Sequence, residues 1–208
     1  MVDYLSSKKK IDIITEIKEW SASVLEVTSD HFNGLPPCPY AKAAWINNRV
    51  KFDFGDKDIV LDHIQGWNDS CDLLIVIAED WAFEEIEDWC EAKNDEIRKD
   101  DIVLMPFVPG EGPDTGQPEE EATNWEYLVD EPYSMIFIQR LSKVNNASES
   151  LEKQGYYKNC TAEFLEYVHN RRKGISNARQ KENTEESTRQ EDQQEGQQKE
   201  NGKTSKGA

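Results

Sequence analysis

The sequence lacks the motifs that mark common enzyme and metal-binding families. It has only three histidines, and none of its four cysteines forms a Cys-x-x-Cys pair. Neither a Gly-x-Ser-x-Gly nor a Walker motif is present, and no motif indicates a cofactor. Long apolar runs are missing too, because charged side chains interrupt the stretch after Lys8–Lys10. We therefore expect a reduced cytoplasmic protein with no signal peptide, no membrane span and no metal site.

Basic residues are scarce, and the acidic excess lies mainly in one segment. The formal net charge is −18, from 42 acidic and 24 basic residues. Residues 79–131 hold 19 acidic residues against three basic ones, Lys93, Arg98 and Lys99. Binding to nucleic acid depends on Lys and Arg, so we expect no direct nucleic-acid binding. An acidic run of this kind is typical of a solvated face, but it would also suit a basic partner protein.

The chain has enough aromatic and apolar sequence for one domain. Six Trp, seven Tyr and seven Phe among 208 residues are sufficient for a hydrophobic core. Residues 175–208 contain no aromatic residue and no proline. Their burial could not offset an ordering entropy of about 1–2 kcal/mol per residue. We predict an α/β domain over residues 1–174 and a disordered polar tail over residues 175–208.

The spacing of apolar residues predicts the secondary structure. Residues 49–55 alternate as a strand with one buried face does, and residues 73–78 form an aliphatic run typical of a central strand. The other predicted strands are 101–108 and 133–141, and the predicted helices are 10–32, 40–48, 57–67, 80–99, 141–154 and 161–173. Because crossover helices usually join parallel strands, we predict a single-domain α/β fold with a roughly four-stranded, mostly parallel sheet and flanking helices.

Cys38 lies in a proline-rich turn between the first two predicted helices. Pro37 and Pro39 flank it, and the next helix is predicted to begin at about Pro39 or Tyr40. Free N–H groups and the helix dipole would then stabilise a thiolate, so we expect a pKa below the free value of about 8.5. Alternatively, Cys38 is a small buried side chain in a rigid turn. A glutaredoxin-like site is a third, less favoured interpretation, because Ala41 occupies the position of the second cysteine.

A set of short motifs resembles those of a bacterial family of unknown function. The shared features are a Trp in the first helix, a Gly-Leu-x-x-Cys-Pro-Phe-Ala-like turn, a Val-containing strand, and a Pro-Tyr before a short strand that ends in Arg. The corresponding residues are Trp20, Gly34, Leu35, Cys38 to Lys42, Arg49 to Lys51, Pro132, Tyr133, Met135 and Arg140. The family's His-Pro-Asp-like segment has no histidine here. The resemblance covers residues 15–175 and implies that Cys38, Pro39, Tyr133 and Arg140 belong together.

The first functional hypothesis is a small enzyme, or a binder of anionic small molecules, with its site near Cys38. Cys38 would be the nucleophile or redox thiol. Lys42 and Arg140 would hold the anionic substrate, and Tyr40 and Tyr133 would line the pocket. The pH dependence of Cys38 alkylation tests this hypothesis, because it depends on a lowered thiol pKa.

The second hypothesis is a non-enzymatic acidic interaction protein. In this interpretation residues 79–131 dock on a basic protein or imitate nucleic acid, and the proline-rich turn is purely structural. Recovery of partners in a pull-down that is lost at moderate salt would support it, whereas the absence of any basic partner at low salt would count against it.

Overall fold

The computed structural model describes residues 2–79, 81, 83–109 and 131–174. The predicted tail, residues 175–208, lies outside these ranges. The helices are α1 (Val2–Trp20), α2 (Ala41–Ile46), α3 (Lys57–Gln65), α4 (Phe83–Ile97), α5 (Leu141–Lys153) and α6 (Ala162–Lys173). The strands are β1 (Val50–Gly55), β2 (Leu73–Ala78), β3 (Ile102–Phe107) and β4 (Met135–Arg140). Within the described ranges, no helix is long and apolar enough to span a membrane.

The four strands form one mixed sheet in the order β1-β2-β4-β3. β1 and β2 are parallel, whereas β4 is antiparallel to both of its neighbours, β2 and β3. The α/β class and the four strands are therefore confirmed. The prediction of a mostly parallel sheet is wrong, because only one of the three neighbouring pairs is parallel.

The position of β4 explains this difference. Met135, at the start of β4, lies opposite Phe107, at the end of β3. The chain therefore re-enters the sheet at the end where it left, and such a strand must run antiparallel. The two connections that contain α3 and α4 do follow the crossover rule, since β1, β2 and β3 all run in the same direction.

Helices cover both faces of the sheet. On one face, apolar side chains of α3 and α4, among them Val60 and Ile86, pack on alternate residues of β2 and β4 such as Val76 and Ile136. On the other face, α1 and the turn after it pack on the remaining strand residues. We call this second group the α1 cluster; its buried members are Ile17, Trp20, Leu25, Ile75, Ile77, Met135 and Phe137. β2 and β4 are thus interior strands.

The first helix begins and ends earlier than the predicted range of residues 10–32, since it starts at Val2. The α-helix ends at Trp20 and continues as a five-residue π-helical segment, Ser21–Leu25, before a turn. Asn33 and Gly34 adopt left-handed backbone conformations with φ angles of 57° and 78°. That geometry directs the chain into the proline-rich segment.

A third apolar cluster packs α5 and α6 against the turn after α1. Its buried members are Phe32, Leu151, Tyr156, Tyr157 and Val168. A polar group joins the same two helices, because Arg172 donates hydrogen bonds to the Ser148 hydroxyl and to the Glu152 carboxylate. These contacts fix α6 in place, so that its outward face forms a wall of the cleft described below.

Candidate functional site

The turn around Cys38 is held by backbone hydrogen bonds. The Cys38 N–H donates to the Leu25 carbonyl at 2.9 Å, and the Ala41 N–H donates to the Cys38 carbonyl at 3.1 Å. α2 begins at Ala41, with Tyr40 at its N-cap position. The partly buried Cys38 side chain packs against the α1 cluster.

Burial raises the pKa of the Cys38 thiol. The N–H groups of Tyr40 and Ala41 lower this pKa, as expected of a helix start, but by less, and the charge of Glu26 raises it further. The prediction of a lowered pKa is therefore wrong. The sulfur loses its contact with water, and two backbone dipoles do not compensate for that loss.

We expect Cys38 to react more slowly with iodoacetamide at pH 7.5 than the same cysteine in the unfolded chain. A raised pKa leaves less thiolate at neutral pH, and the rate should rise only as pH exceeds the usual value for a free thiol. Mass spectrometry of the Cys38 peptide after timed alkylation, with and without guanidinium chloride, measures both rates. Faster alkylation of the folded protein would contradict this prediction and restore the hypothesis of an activated thiol.

The structure places the two predicted tyrosines in different surroundings. Tyr133 packs against the α1 cluster, as Cys38 does, and its hydroxyl donates a hydrogen bond to the Glu16 carboxylate. This hydrogen bond raises the pKa of Tyr133 to about 12. Tyr40 is an exposed residue at the N-cap of α2, with 47% of its surface accessible.

Arg140, one of the two predicted anion-binding residues, lies far from Tyr133. Arg140 ends β4, five strand residues beyond Met135, which separates it from the Tyr133 end of the sheet by about 16 Å. Its Nε pairs with Asp69 at 3.0 Å, and its guanidinium lies 5.9 Å from the Trp67 ring. Lys42 is exposed on α2. A shared role for these residues stays a prediction.

The histidines lie on separate elements. His63 forms a 2.7 Å contact with Asp53, and His169 forms a 2.9 Å contact with Glu152. The His31 ring packs edge-on against Phe32. In the part of the chain that the structure describes, no group of three or more His, Cys, Asp or Glu side chains could hold a metal ion.

The acidic segment is described only in part. Among the α4 side chains that the structure describes, four carboxylates are exposed to solvent. Two of them pair with lysines: Glu85 with Lys57, and Glu96 with Lys93. The other two are Glu87 and Asp88. Residues 110–130 lie outside the described ranges, so docking of residues 79–131 on a basic partner stays a prediction.

A cleft that the sequence did not indicate lies between α4, the outer edge of β3, and α6. Its volume is about 220 Å³. The polar side chains that line it are Glu87, Glu91 and Asn94 from α4, Arg98 directly after α4, and Tyr167 and Arg171 from α6. It therefore brings together charges of both signs, and we call it the α4–α6 cleft.

Asn94 fixes the floor of the cleft. Its side-chain amide donates to the Leu104 carbonyl at 2.9 Å and accepts from the Leu104 N–H at 2.8 Å. β3 is an edge strand, so these outward-facing peptide groups have no neighbouring strand. Asn94 takes the place of that strand and ties α4 to β3. Pro106 lies on the same strand, as is usual at a sheet edge.

Two charged side chains in the cleft have buried atoms without a partner. Glu91 Oε1 and Arg98 Nη1 are inaccessible to solvent, and neither makes a hydrogen bond to any residue that the structure describes. A Cβ atom on Gly174, at the end of α6, would lie 3.3 Å from Arg98 Nη1, so this guanidinium reaches the opposite wall. Arg171 donates from Nε to Asn145 at 3.3 Å, and its guanidinium lies 5.7 Å from the Tyr167 ring.

Part of this cleft has a signal in the sequence. Glu87, Glu91, Asn94 and Arg98 follow one another at spacings of four, three and four residues, which places them on one stripe of a helix. Such a stripe looks like an ordinary solvated face. Only the fold reveals that β3 and α6 enclose it.

Comparisons with known proteins give the chain no family. It matches no protein-family model, no curated protein and no solved structure. The resemblance drawn from the turn around Cys38 therefore stays a prediction.

Proposed function

We propose that the protein binds a small charged molecule in the α4–α6 cleft. The observation that supports this proposal is the pair of unpartnered atoms, Glu91 Oε1 and Arg98 Nη1, inside a cleft of about 220 Å³. A cavity of about 150 Å³ holds benzene, so the cleft has room for a somewhat larger ligand.

Unpartnered charged groups are costly in a folded protein. More than about 90% of buried polar atoms have a hydrogen-bond partner, and leaving one unpaired costs about 1–3 kcal/mol. Here an acceptor on Glu91 and a donor on Arg98 are left unpaired in the same cleft. A ligand with complementary groups would remove both penalties, and part of its binding energy would come from that source.

This proposal keeps a small-molecule ligand, as in the first sequence hypothesis, but widens its class from anions to charged molecules and changes its location. Arg98 and Arg171 supply the positive charges that the sequence assigned to Lys42 and Arg140. Unlike Arg140, which pairs with Asp69, Arg98 has a buried guanidinium nitrogen that makes no hydrogen bond to any residue in the described part of the chain. The raised pKa of the Cys38 thiol removes the main argument for chemistry at that residue.

Nuclear magnetic resonance tests whether the cleft binds small ions. The uniformly ¹⁵N-labelled full chain is titrated separately with hexanoate and with hexylamine, up to about 10 mM, a concentration at which even a millimolar complex is populated. We expect at least one probe to shift the amide signals of Glu91, Asn94, Arg98, Leu104 and Arg171, which line or adjoin the cleft.

The exposed surface of α3 provides the internal control for this titration. Amides of Asp58 and Asp62 should not move, because α3 covers another part of the sheet. If neither these probes nor 6-aminohexanoate, which carries both charges, shifts the cleft signals, or if shifts spread evenly over all exposed charged residues, the proposal is wrong.

A further inference from the structure

Charges of opposite sign occupy opposite ends of the α4–α6 cleft. Glu91 lies on α4, and Arg98 directly follows the last residue of that helix. The two are seven residues apart, about two helical turns, so their Cα atoms are about 10 Å apart. Glu87 lies one turn beyond Glu91, and Arg171 adds a second positive charge from α6. The cleft therefore has an acidic end and a basic end.

We propose that the ligand is an elongated zwitterion, an inference that rests on the proposed function and names its ligand class. A cationic group would bind to Glu91, beside Glu87, and a carboxylate would bind to Arg98, beside Arg171. The cleft volume of about 220 Å³ suits a molecule of about ten non-hydrogen atoms.

The unpartnered atoms favour a zwitterion over a simple ion. A lone anion would complement the Arg98 guanidinium but offer no positive group to the Glu91 carboxylate, and a lone cation would do the reverse. A site built to hydrogen-bond a polar group strongly rejects an analogue that lacks it, because the protein atom is then left unpaired. Only a ligand with both groups satisfies both residues.

Two chemical sources provide such a ligand. A free amino acid with a cationic side chain, such as L-arginine, has a guanidinium and a carboxylate separated by a flexible chain. A short peptide such as triglycine has an ammonium and a carboxylate separated by peptide groups. Both match the spacing of the charges, and direct titration with each compound distinguishes the two sources by affinity.

The decisive experiment compares three molecules of the same length. 6-Aminohexanoate has both charges, about 7–8 Å apart when extended. Hexanoate lacks the cation, and hexylamine lacks the carboxylate. From amide shifts of the labelled full chain, we expect 6-aminohexanoate to bind at least about tenfold more tightly than either single-charge analogue.

Matched variants assign each charge to its residue. In Glu91→Gln, 6-aminohexanoate should bind about as tightly as hexanoate, so that their affinity ratio falls to about one. In Arg98→Gln, the affinity ratio of 6-aminohexanoate to hexylamine should likewise fall to about one. The controls are Asp88→Asn and Lys99→Gln, which change exposed charges outside the cleft lining. They should leave both ratios unchanged.

Each outcome of the ligand series decides a different claim. If hexanoate or hexylamine binds in the cleft as tightly as 6-aminohexanoate, the inference that the ligand is a zwitterion is wrong, but the proposed function stands. If none of the three shifts the cleft signals, both are wrong. The series uses the unaltered chain, so it decides the question even where a variant fails to fold.

Discussion

Replacing Ile136 with alanine is expected to lower the free energy of unfolding by about 3–4 kcal/mol. Ile136 is completely buried and lies in β4, between β2 and β3. Its side chain belongs to the cluster that packs α3 and α4 on the sheet. Truncation would leave a cavity among side chains held by three strands and two helices, which have little freedom to close it. Urea denaturation followed by circular dichroism measures the change.

Val50→Ala is the matched control for this experiment. Val50 begins β1 at the edge of the sheet and is only partly buried, so its truncation should cost no more than about 1.5 kcal/mol. If β4 were instead added outside β3, it would be an edge strand. The two variants would then lower the free energy of unfolding by similar amounts. Equal losses would therefore contradict the strand order β1-β2-β4-β3.

The sequence was sufficient to predict most strands but not their pairing. Alternation in residues 49–55 and the aliphatic run of residues 73–78 reflect burial of one or two faces, which a local pattern records. The direction of β4 depends on where the chain re-enters the sheet. The chain re-enters where Met135 pairs with Phe107, and a local pattern does not record a pairing between residues so far apart in sequence.

The error at Cys38 has a similar cause. The local sequence correctly indicated a helix start and N–H groups near the sulfur, and both lower the thiol pKa. The larger effect is desolvation, to which packing against the α1 cluster contributes. Residues from Ile17 to Phe137 make up that cluster, so no short motif could have predicted its effect on the thiol.

The α4–α6 cleft shows the same division between local and distant information. The four side chains from Glu87 to Arg98 are visible as a helical stripe, and their order of charge, acidic first and basic last, is a property of the sequence. Enclosure by β3 and α6 turns this stripe into a site. Because the helix supplies both charged ends, its attachment to the sheet determines the shape of the cleft, and that attachment depends on Asn94.

Replacing Asn94 with alanine is expected to lower the free energy of unfolding by about 2–3 kcal/mol. The variant loses two hydrogen bonds, each worth about 1 kcal/mol, and leaves the Leu104 N–H and carbonyl without their partner. Loosening of α4 from β3 should also weaken binding of 6-aminohexanoate in the cleft. Denaturation gives the stability change, and hydrogen exchange should show the Leu104 amide exchanging at least about tenfold faster.

Asn146→Ala separates this effect from helix propensity. Asn146 is exposed in the interior of α5, and the same substitution there gains helix propensity without breaking a tie to the sheet, so stability should change by no more than about 0.5 kcal/mol.

Asn94→Asp keeps an acceptor for the Leu104 N–H but sets a carboxylate against the Leu104 carbonyl, so it should lose the second hydrogen bond and add repulsion. An unchanged exchange rate of the Leu104 amide in both Asn94 variants would show that the Asn94 side chain does not hold α4 against the edge of the sheet. Other contacts would then have to fix the position of α4 in the cleft.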